Sequence, residues 1–346
     1  MPSTAHDVNT SVIIPTFNRA QYLDLTLASF VRQTTRNFEI VIVDDGSTDD
    51  TGQVADRYRE RLSIRYVRQA NAGRSKARNT GIEHARGSLL VFCDDDRIVC
   101  PQFIAEHQDE HATGAPRVAI GWQHGIVSVW APDLALGADK LGPLLSARPQ
   151  LVAQLQRGPT PLVTPAMVYD DFDRTIADFA VGEPWQELIT PIIEQYGCDL
   201  AGFRFPWSLG TTSNLSVSTS LTREVGMFDT EFSGWGLEDQ ELHYRLCAAG
   251  AATTVSRGAV NFHQVHARPP ALMKQWNRNA IRLLEKHPSA EVCLFLRMNR
   301  EKITIAEANR LAEEYAALAA AGFPAVAAEF VRVMKEHLLA TAHAYL

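Results

Sequence analysis

The sequence is short of cysteine, and what it has builds no framework. Cys93, Cys100, Cys198, Cys247 and Cys293 are scattered, and no two form a CxxC pair. An odd count without such pairs excludes a disulfide scaffold and a thiolate zinc site, and it suits a reducing cytosol. Positive charge is also scarce. Lys and Arg number 33 against 40 Asp and Glu, for a net charge of -7. A chain whose main partner is nucleic acid carries a clustered basic surface, so that class is excluded. A small basic pocket for a diphosphate is not. No apolar run approaches the length of a transmembrane segment. The start, MPSTAHDVNT, lacks the basic and apolar regions of a signal peptide. The expectation is a cytoplasmic protein, with peripheral membrane contact left open by the Ala-rich stretch 316–331. Gly322, Pro324 and Glu329 mark that stretch as soluble helix. Internal repeats and low-complexity linkers are absent too. What remains is a chain of 346 residues, 46% hydrophobic, enough to bury a sizeable core.

The first third alternates strand and helix patterns. SVIIPTF (11–17) is a continuous apolar, β-branched run, as in a strand covered on both faces. Helical spacing follows over 20–33, and FEIVIVDD (38–45) repeats the buried-strand pattern. GSTDDT then supplies a turn and helix-capping residues before a helix over 51–61. Residues 64–67 predict a third strand, 75–85 a helix, and SLLVFC (88–93) a fourth strand. This order predicts a parallel sheet flanked by helices. Such sheets bind ligands at the carboxyl ends of their strands, where the acidic clusters lie. The middle, 114–205, is irregular, and 118–130 and 167–180 are placed only loosely. NLSVS (214–218) predicts a strand, 238–249 a helix, and 258–263 a strand ending in His263. Residues 270–346 read as helices interrupted near His287–Pro288 and Gly322–Pro324.

Asp94, Asp95 and Asp96 directly follow a buried strand. Three adjacent carboxylates repel one another and persist when solvated or neutralised by a cation. Asp94 and Asp96 share one side of an extended chain, and a hard divalent ion such as Mn²⁺ or Mg²⁺ takes such oxygen ligands together with substrate phosphates. The competing reading is a solvated acidic turn. Asp44 and Asp45 end the second strand, where a carboxylate can accept from a nucleobase imide or a ribose hydroxyl; the alternative is a solvated loop. NAGRSKARN (71–79) brings Arg74, Lys76 and Arg78 to a helix start, a place that favours anions, although basic helix faces are common.

Taken in order, IIPTFNR (13–19), VDDGSTDDT (43–51), NAGRSKARNTGI (71–82), CDDDRIVCP (93–101), TSNLSVS (212–218), VGMFDTEFSGWGLEDQELHYRLCAAG (225–250) and FHQVH (262–266) closely resemble the family 2 glycosyltransferases of the GT-A fold. The resemblance spans about 11–266. It implies an α/β architecture with a mainly parallel, Rossmann-like sheet and a helical C-terminal extension. The catalytic domain would run over 1–268, with a donor half of about 11–112 and an acceptor half of about 113–268, and the extension over 269–346.

It also implies an inverting, metal-dependent transfer of a sugar from a nucleotide-diphosphate sugar, with uridine suggested as the base. Donor-binding residues would be Pro15, Phe17, Arg19, Asp44, Asp45, Arg78, Asp94 and Asp95. Among them Asp45, with Asp44 as the alternative, would read the base edge. Asp94 and Asp96 form the family's DxD, with Asp96 on the metal and Asp94 nearer ribose or metal. Many members carry an acid where Arg97 stands, so Arg97 is expected to meet the diphosphate or pair with Asp95. His263 is the expected third metal ligand and His266 its alternative. In GWGLED, Trp235, Gly236 and Glu238 would bind acceptor, and Asp239 would be the general base. The metal and Arg78 would stabilise charge on the departing diphosphate. Trp185 and Trp207 are read as core. The C-terminal helices are read as packing elements, with a homodimer as the alternative. Acceptors in range are glycans, peptides, lipid-linked sugars and small molecules.

Two rival classes stay in view. A sugar-phosphate nucleotidyltransferase would carry a Gly-rich phosphate loop after its first strand, and PTFNRAQ has no glycine. A non-catalytic nucleotide-sugar-binding protein would have no use for Asp239.

Overall fold

The computed structural model describes residues 8–131, 134, 142, 145–146, 149, 159–267, 272–301 and 303–342. Its first half follows the strand and helix patterns of the sequence. Strand β1 (Thr10–Thr16), helix α1 (Ala20–Phe30), β2 (Phe38–Asp44), α2 (Thr51–Arg57), β3 (Ile64–Arg68), α3 (Arg74–His84) and β4 (Leu89–Cys93) succeed one another. The four strands pair in parallel in the order β3-β2-β1-β4. Alternate residues of β1 go to opposite cores: Val12 and Ile14 pack with Leu23, Leu27 and Phe30 of α1, while Ile13 packs with Ala77 and Ile82 of α3. Burial on both faces is why these strands read as unbroken apolar runs. Helices α1 and α2 stop short of the predicted Gln33 and Arg61, where non-helical turns take over.

The second half departs from a purely parallel arrangement. Strand β5 (Arg97–Val99) starts one residue after the acidic triplet, and α4 (Phe103–Glu110) and β6 (Arg117–Ile126) follow. A small antiparallel pair, β7 (Val129–Trp130) with β8 (Thr160–Pro161), precedes α5 (Pro165–Asp170), α6 (Phe172–Phe179), β9 (Ala180–Val181) and α7 (Pro184–Tyr196). Then come β10 (Asn214–Ser218), α8 (Thr219–Glu224), α9 (Glu238–Ala248) and the long β11 (Ala252–Gln264). The sheet continues from β4 through β10, β6 and β11 to β5, with β9 attached to β6. Strand β10 is antiparallel to both β4 and β6, and β5 is antiparallel to β11. The predicted strand 258–263 is the second half of β11, whose register shifts between Ser256 and Val260.

Four helices close the chain: α10 (Leu272–Lys286), α11 (Ala290–Glu301), α12 (Ile305–Ala320) and α13 (Pro324–Ala342). The two predicted interruptions occur. A third follows α11, where Thr304 and Glu307 form a capping box at the start of α12. Pro270 and the last four residues lie outside the described residues. These helices share one apolar cluster with Ile189, Phe205 and Trp207, through Leu283, Leu284, Val292, Leu296, Ala312 and Leu338. Trp207 is buried there, edge-on to Phe295 and Tyr244. Trp185 is half-buried, donates to the Leu209 carbonyl at 3.3 Å and meets Trp122 edge-on. No described helix is long and apolar enough to cross a membrane.

Candidate active site

At the carboxyl end of β4 the chain leaves the core with its three aspartates, and the fold sends them to different partners. Asp94, 31% exposed, accepts from Arg78 Nη2 at 3.2 Å. Asp95 is buried, and its main-chain carbonyl takes the Thr26 hydroxyl at 2.8 Å. Burial first, and the neighbouring Asp96 second, push the Asp95 carboxyl up to about 8. Arg97 pairs with Asp96 at 3.5 Å rather than with Asp95, and it donates to Gln123 at 3.3 Å.

Arg78 is the hub of the first cluster. It lies on the buried side of α3, with its guanidinium over the Phe228 ring at 5.5 Å. Besides Asp94 it reaches Glu238 at 3.2 Å and Asp239 at 3.3 Å, both in the first turn of α9. Arg74 adds a longer contact to Glu238 at 3.7 Å. Burial opposes charge on Arg78, but the carboxylates of Asp239, Asp94 and Glu238 outweigh it and hold the guanidinium charged. Asp239 is placed further by Thr212, whose hydroxyl donates at 2.8 Å to one carboxylate oxygen and whose amide donates at 3.2 Å to the other. Burial raises Asp239 to about 6 against the pull of Arg78, with Glu238 and Asp94 adding to the rise. Its side chain keeps 16% exposure. A carboxylate that is positioned, reachable and half-ionised near pH 6 suits proton abstraction.

The second cluster is built by β5 and β11. Their antiparallel register sets His263 opposite Arg97, and the Gln264 amide donates to the Asp96 carbonyl at 2.9 Å. The Asp96 carboxylate thereby meets His266 Nε2 at 3.1 Å and His263 Nε2 at 3.8 Å. Ligand atoms of Asp96, His263 and His266 all lie within 4.8 Å of one another. Burial would raise Asp96, but His263, His266 and Arg97 hold its carboxyl well below the usual range. Burial, then Arg97, lowers His263, against the pull of Asp96 and Glu183. Glu183, at the N-cap of α7, sits 3.5 Å from His263 Nδ1. A carboxylate there favours the tautomer whose Nε2 lone pair faces Asp96.

These residues fit a divalent cation. Asp96 Oδ1 is buried without a hydrogen bond. One carboxylate with two imidazoles is a mixed O,N donor set, which suits Mn²⁺ better than Mg²⁺. Asp94 lies outside this group of three, and both histidines lie within it.

The remaining sites named from the sequence are placed as follows. Phe17 is 46% exposed beyond the end of β1, and Pro15 is half-buried. Arg19 stacks over Tyr22 at 5.0 Å and lines a cavity of about 250 Å³ together with Tyr22, Leu134, Val265 and His266. Asp44 is turned to the Ser47 amide, at 2.7 Å, and to the Tyr66 hydroxyl. Asp45 accepts from Gln69 and from the amides of Ala72 and Gly73 at 2.7–2.9 Å. It therefore holds the segment leading into α3 and keeps unused lone pairs. Trp235 and Gly236 are half-buried in the turn before α9. Sequence reasoning passed over Thr212, Gln123 and Glu183. Thr212 stood in a quoted motif without a role, and Glu183 lay in the irregular middle.

The family described as glycosyl transferase family 2 matches residues 11–134. Validoxylamine A glucosyltransferase of Streptomyces hygroscopicus subsp. jinggangensis (strain 5008) is 35% identical over 326 residues, 92% of this chain and 70% of that one. Chondroitin synthase of Pasteurella multocida (strain Pm70) is 29% identical over 282 residues, 79% of this chain and 26% of that one. Among solved structures, S. aureus TarS 1-349 in complex with UDP-GlcNAc has a TM-score of 0.50 at 18% identity, over 87% of this chain and 69% of that one. That likeness is one of fold. With a relative at this identity across most of both chains, the protein belongs to family 2 of the glycosyltransferases and is a glycosyltransferase.

Proposed function

We propose that the enzyme transfers a hexosyl group, with inversion, from a uridine diphosphate sugar to an acceptor hydroxyl, that it depends on a divalent metal, and that Asp239 is its general base. The observation that carries this reading is the meeting of Asp94, Glu238 and Asp239 on Arg78, beside the group of Asp96, His263 and His266. Phe17, Pro15 and Asp45 border the nucleotide in this reading, and Arg19 and Asp95 flank the diphosphate. Asp96, His263 and His266 would hold Mn²⁺ or Mg²⁺, which when bound offsets charge on the diphosphate. Arg78 adds fixed positive charge on the same side. Asp239 takes the proton of the acceptor hydroxyl as its oxygen attacks the anomeric carbon. Thr212 and Arg78 hold the base in place, so little reorganisation is needed. Glu238, Trp235 and Gly236 contact the acceptor.

Glucosyl transfer by the Streptomyces relative supports UDP-glucose as the first donor to test and validoxylamine A as the first acceptor. The UDP-GlcNAc complex of TarS supports the uridine choice and names the second donor. Calorimetric titration of UDP, GDP and dTDP, with Mn²⁺ and then with chelator, tests the reading. UDP binding that needs metal is expected in the wild type and lost in Asp96→Ala. Unchanged metal-dependent affinity in that variant removes Asp96 from the metal site.

A further inference from the structure

The turn that delivers Glu238 and Asp239 to the start of α9 is held from outside itself. Gly234, Gly236 and Leu237 all have positive φ, at 80°, 99° and 71°. For Leu237, which is buried, that conformation costs on the order of 1–2 kcal/mol. Leu237 is also the N-cap of α9, and no side chain caps that end. The groups that hold the turn come from one face of α10. Trp235 N–H donates to Gln275 Oε1 at 2.8 Å, and Asn279 Nδ2 donates to the Gly236 carbonyl at 2.7 Å and the Ser233 carbonyl at 3.3 Å. The ring of Trp276 lies so close to Gly236 that a Cβ there would stand 2.8 Å from it. One and two turns further on, Arg282 and Lys286 reach Asp229, and Lys286 and His287 reach Glu241 inside α9, at 2.8–3.2 Å. The positions 275, 276, 279, 282 and 286 form a single stripe along the helix.

We infer that α10 is a positioning element of the catalytic machinery: Gln275 and Asn279 hold the 234–237 turn in its left-handed form and thereby set Glu238 and Asp239 on Arg78. This rests on the proposed role of Asp239. Neither residue touches the acids, so their effect runs through backbone geometry. A catalytic group displaced by about 1 Å costs on the order of 100-fold in rate.

The test uses the full chain, UDP-glucose and UDP-GlcNAc with Mn²⁺, and release of UDP to water as the turnover signal. Asn279→Asp keeps the side-chain volume and removes the donor. A fall in kcat of about tenfold to 100-fold is expected, with KM for the donor and calorimetric UDP affinity within twofold of wild type. Gln275→Ala should lose turnover in the same way, and Gln275→Glu, which keeps the acceptor for Trp235 N–H, should recover it. A merely structural helix would lower the melting temperature and leave kcat per folded molecule and the Ala-to-Glu recovery flat. Unchanged kcat in folded Asn279→Asp overturns the inference. Failure of the underlying reading shows separately, as full turnover in Asp239→Asn.

Discussion

A carboxylate that accepts a proton near neutral pH has to be buried enough to be basic and paired enough to stay ionised. Asp239 meets both conditions, with burial raising it to about 6 and Arg78 opposing the rise. The base form is lost as pH falls, so turnover should drop about tenfold per pH unit below about 6. The Thr212 hydroxyl donates to Asp239 and lowers it. Thr212→Val should therefore move the acid limb of the pH–kcat profile to higher pH; a limb that stays in place removes Asp239 as its source. Asp239→Asn should retain UDP affinity and lose about 100- to 10,000-fold in turnover. Arg78 carries a structural demand as well. Replacing it by Met leaves Asp94, Glu238 and Asp239 facing one another, with Arg74 at 3.7 Å from Glu238. Removing one partner of a buried ion cluster costs about 3–5 kcal/mol, which urea denaturation would read directly.

At the scale of elements, the site is a product of three junctions. Helix α3 carries Arg78 in from the parallel half of the sheet. Helix α9, which shares an apolar cluster with α3, brings Glu238 and Asp239, braced by α10. The pairing of β5 with β11 brings His263 beside Asp96. The C-terminal helices take part because they share a core with the segment before β10. Trp207, 3% exposed and packed on Phe295 and Tyr244, is the pin of that core. Trp207→Ala should destabilise the protein by about 3–5 kcal/mol, the usual range for a buried aromatic. A loss under 1 kcal/mol would mean that the helices are seated independently of it.

Over the whole molecule, the buried His107 and His243 and the half-buried His111 make stability depend on pH. His107 and His111 share the Ser216 hydroxyl, His107 also faces Asn214, and His243 faces Thr253. Burial lowers His107 and His111 to about 4 and His243 to about 3. In the unfolded chain each titrates near 6.5, so between that pH and about 4 the unfolded state binds more protons than the folded one. Their contribution is complete above 6.5 and is lost as pH falls toward 4, by up to about 1.4 kcal/mol per pH unit for each histidine. Asp239, raised in the folded state, has the opposite slope between 3.8 and about 6. The histidine contribution is therefore isolated by comparison with His107→Gln. That variant should lose less stability than wild type between pH 6.5 and 4.5, and parallel curves would show that His107 takes up its proton over the same pH range in both states.

The sequence by itself determined the parallel half of the sheet, since strands covered on both faces must be apolar throughout, as 11–17 and 38–45 are. It determined the family, through motifs whose order is as informative as their residues, and it singled out Arg78, Asp96, Glu238, Asp239 and His263. Which carboxylate meets which cation was decided only in three dimensions. Nothing local distinguishes Asp94, on Arg78, from Asp96, on the histidines, because the difference arises from the antiparallel pairing of β5, a three-residue strand too short to show a period. Nor does anything near GWGLED announce Gln275 and Asn279. Their role depends on α10 lying across a turn about 40 residues earlier in the chain, a contact of packing rather than of pattern.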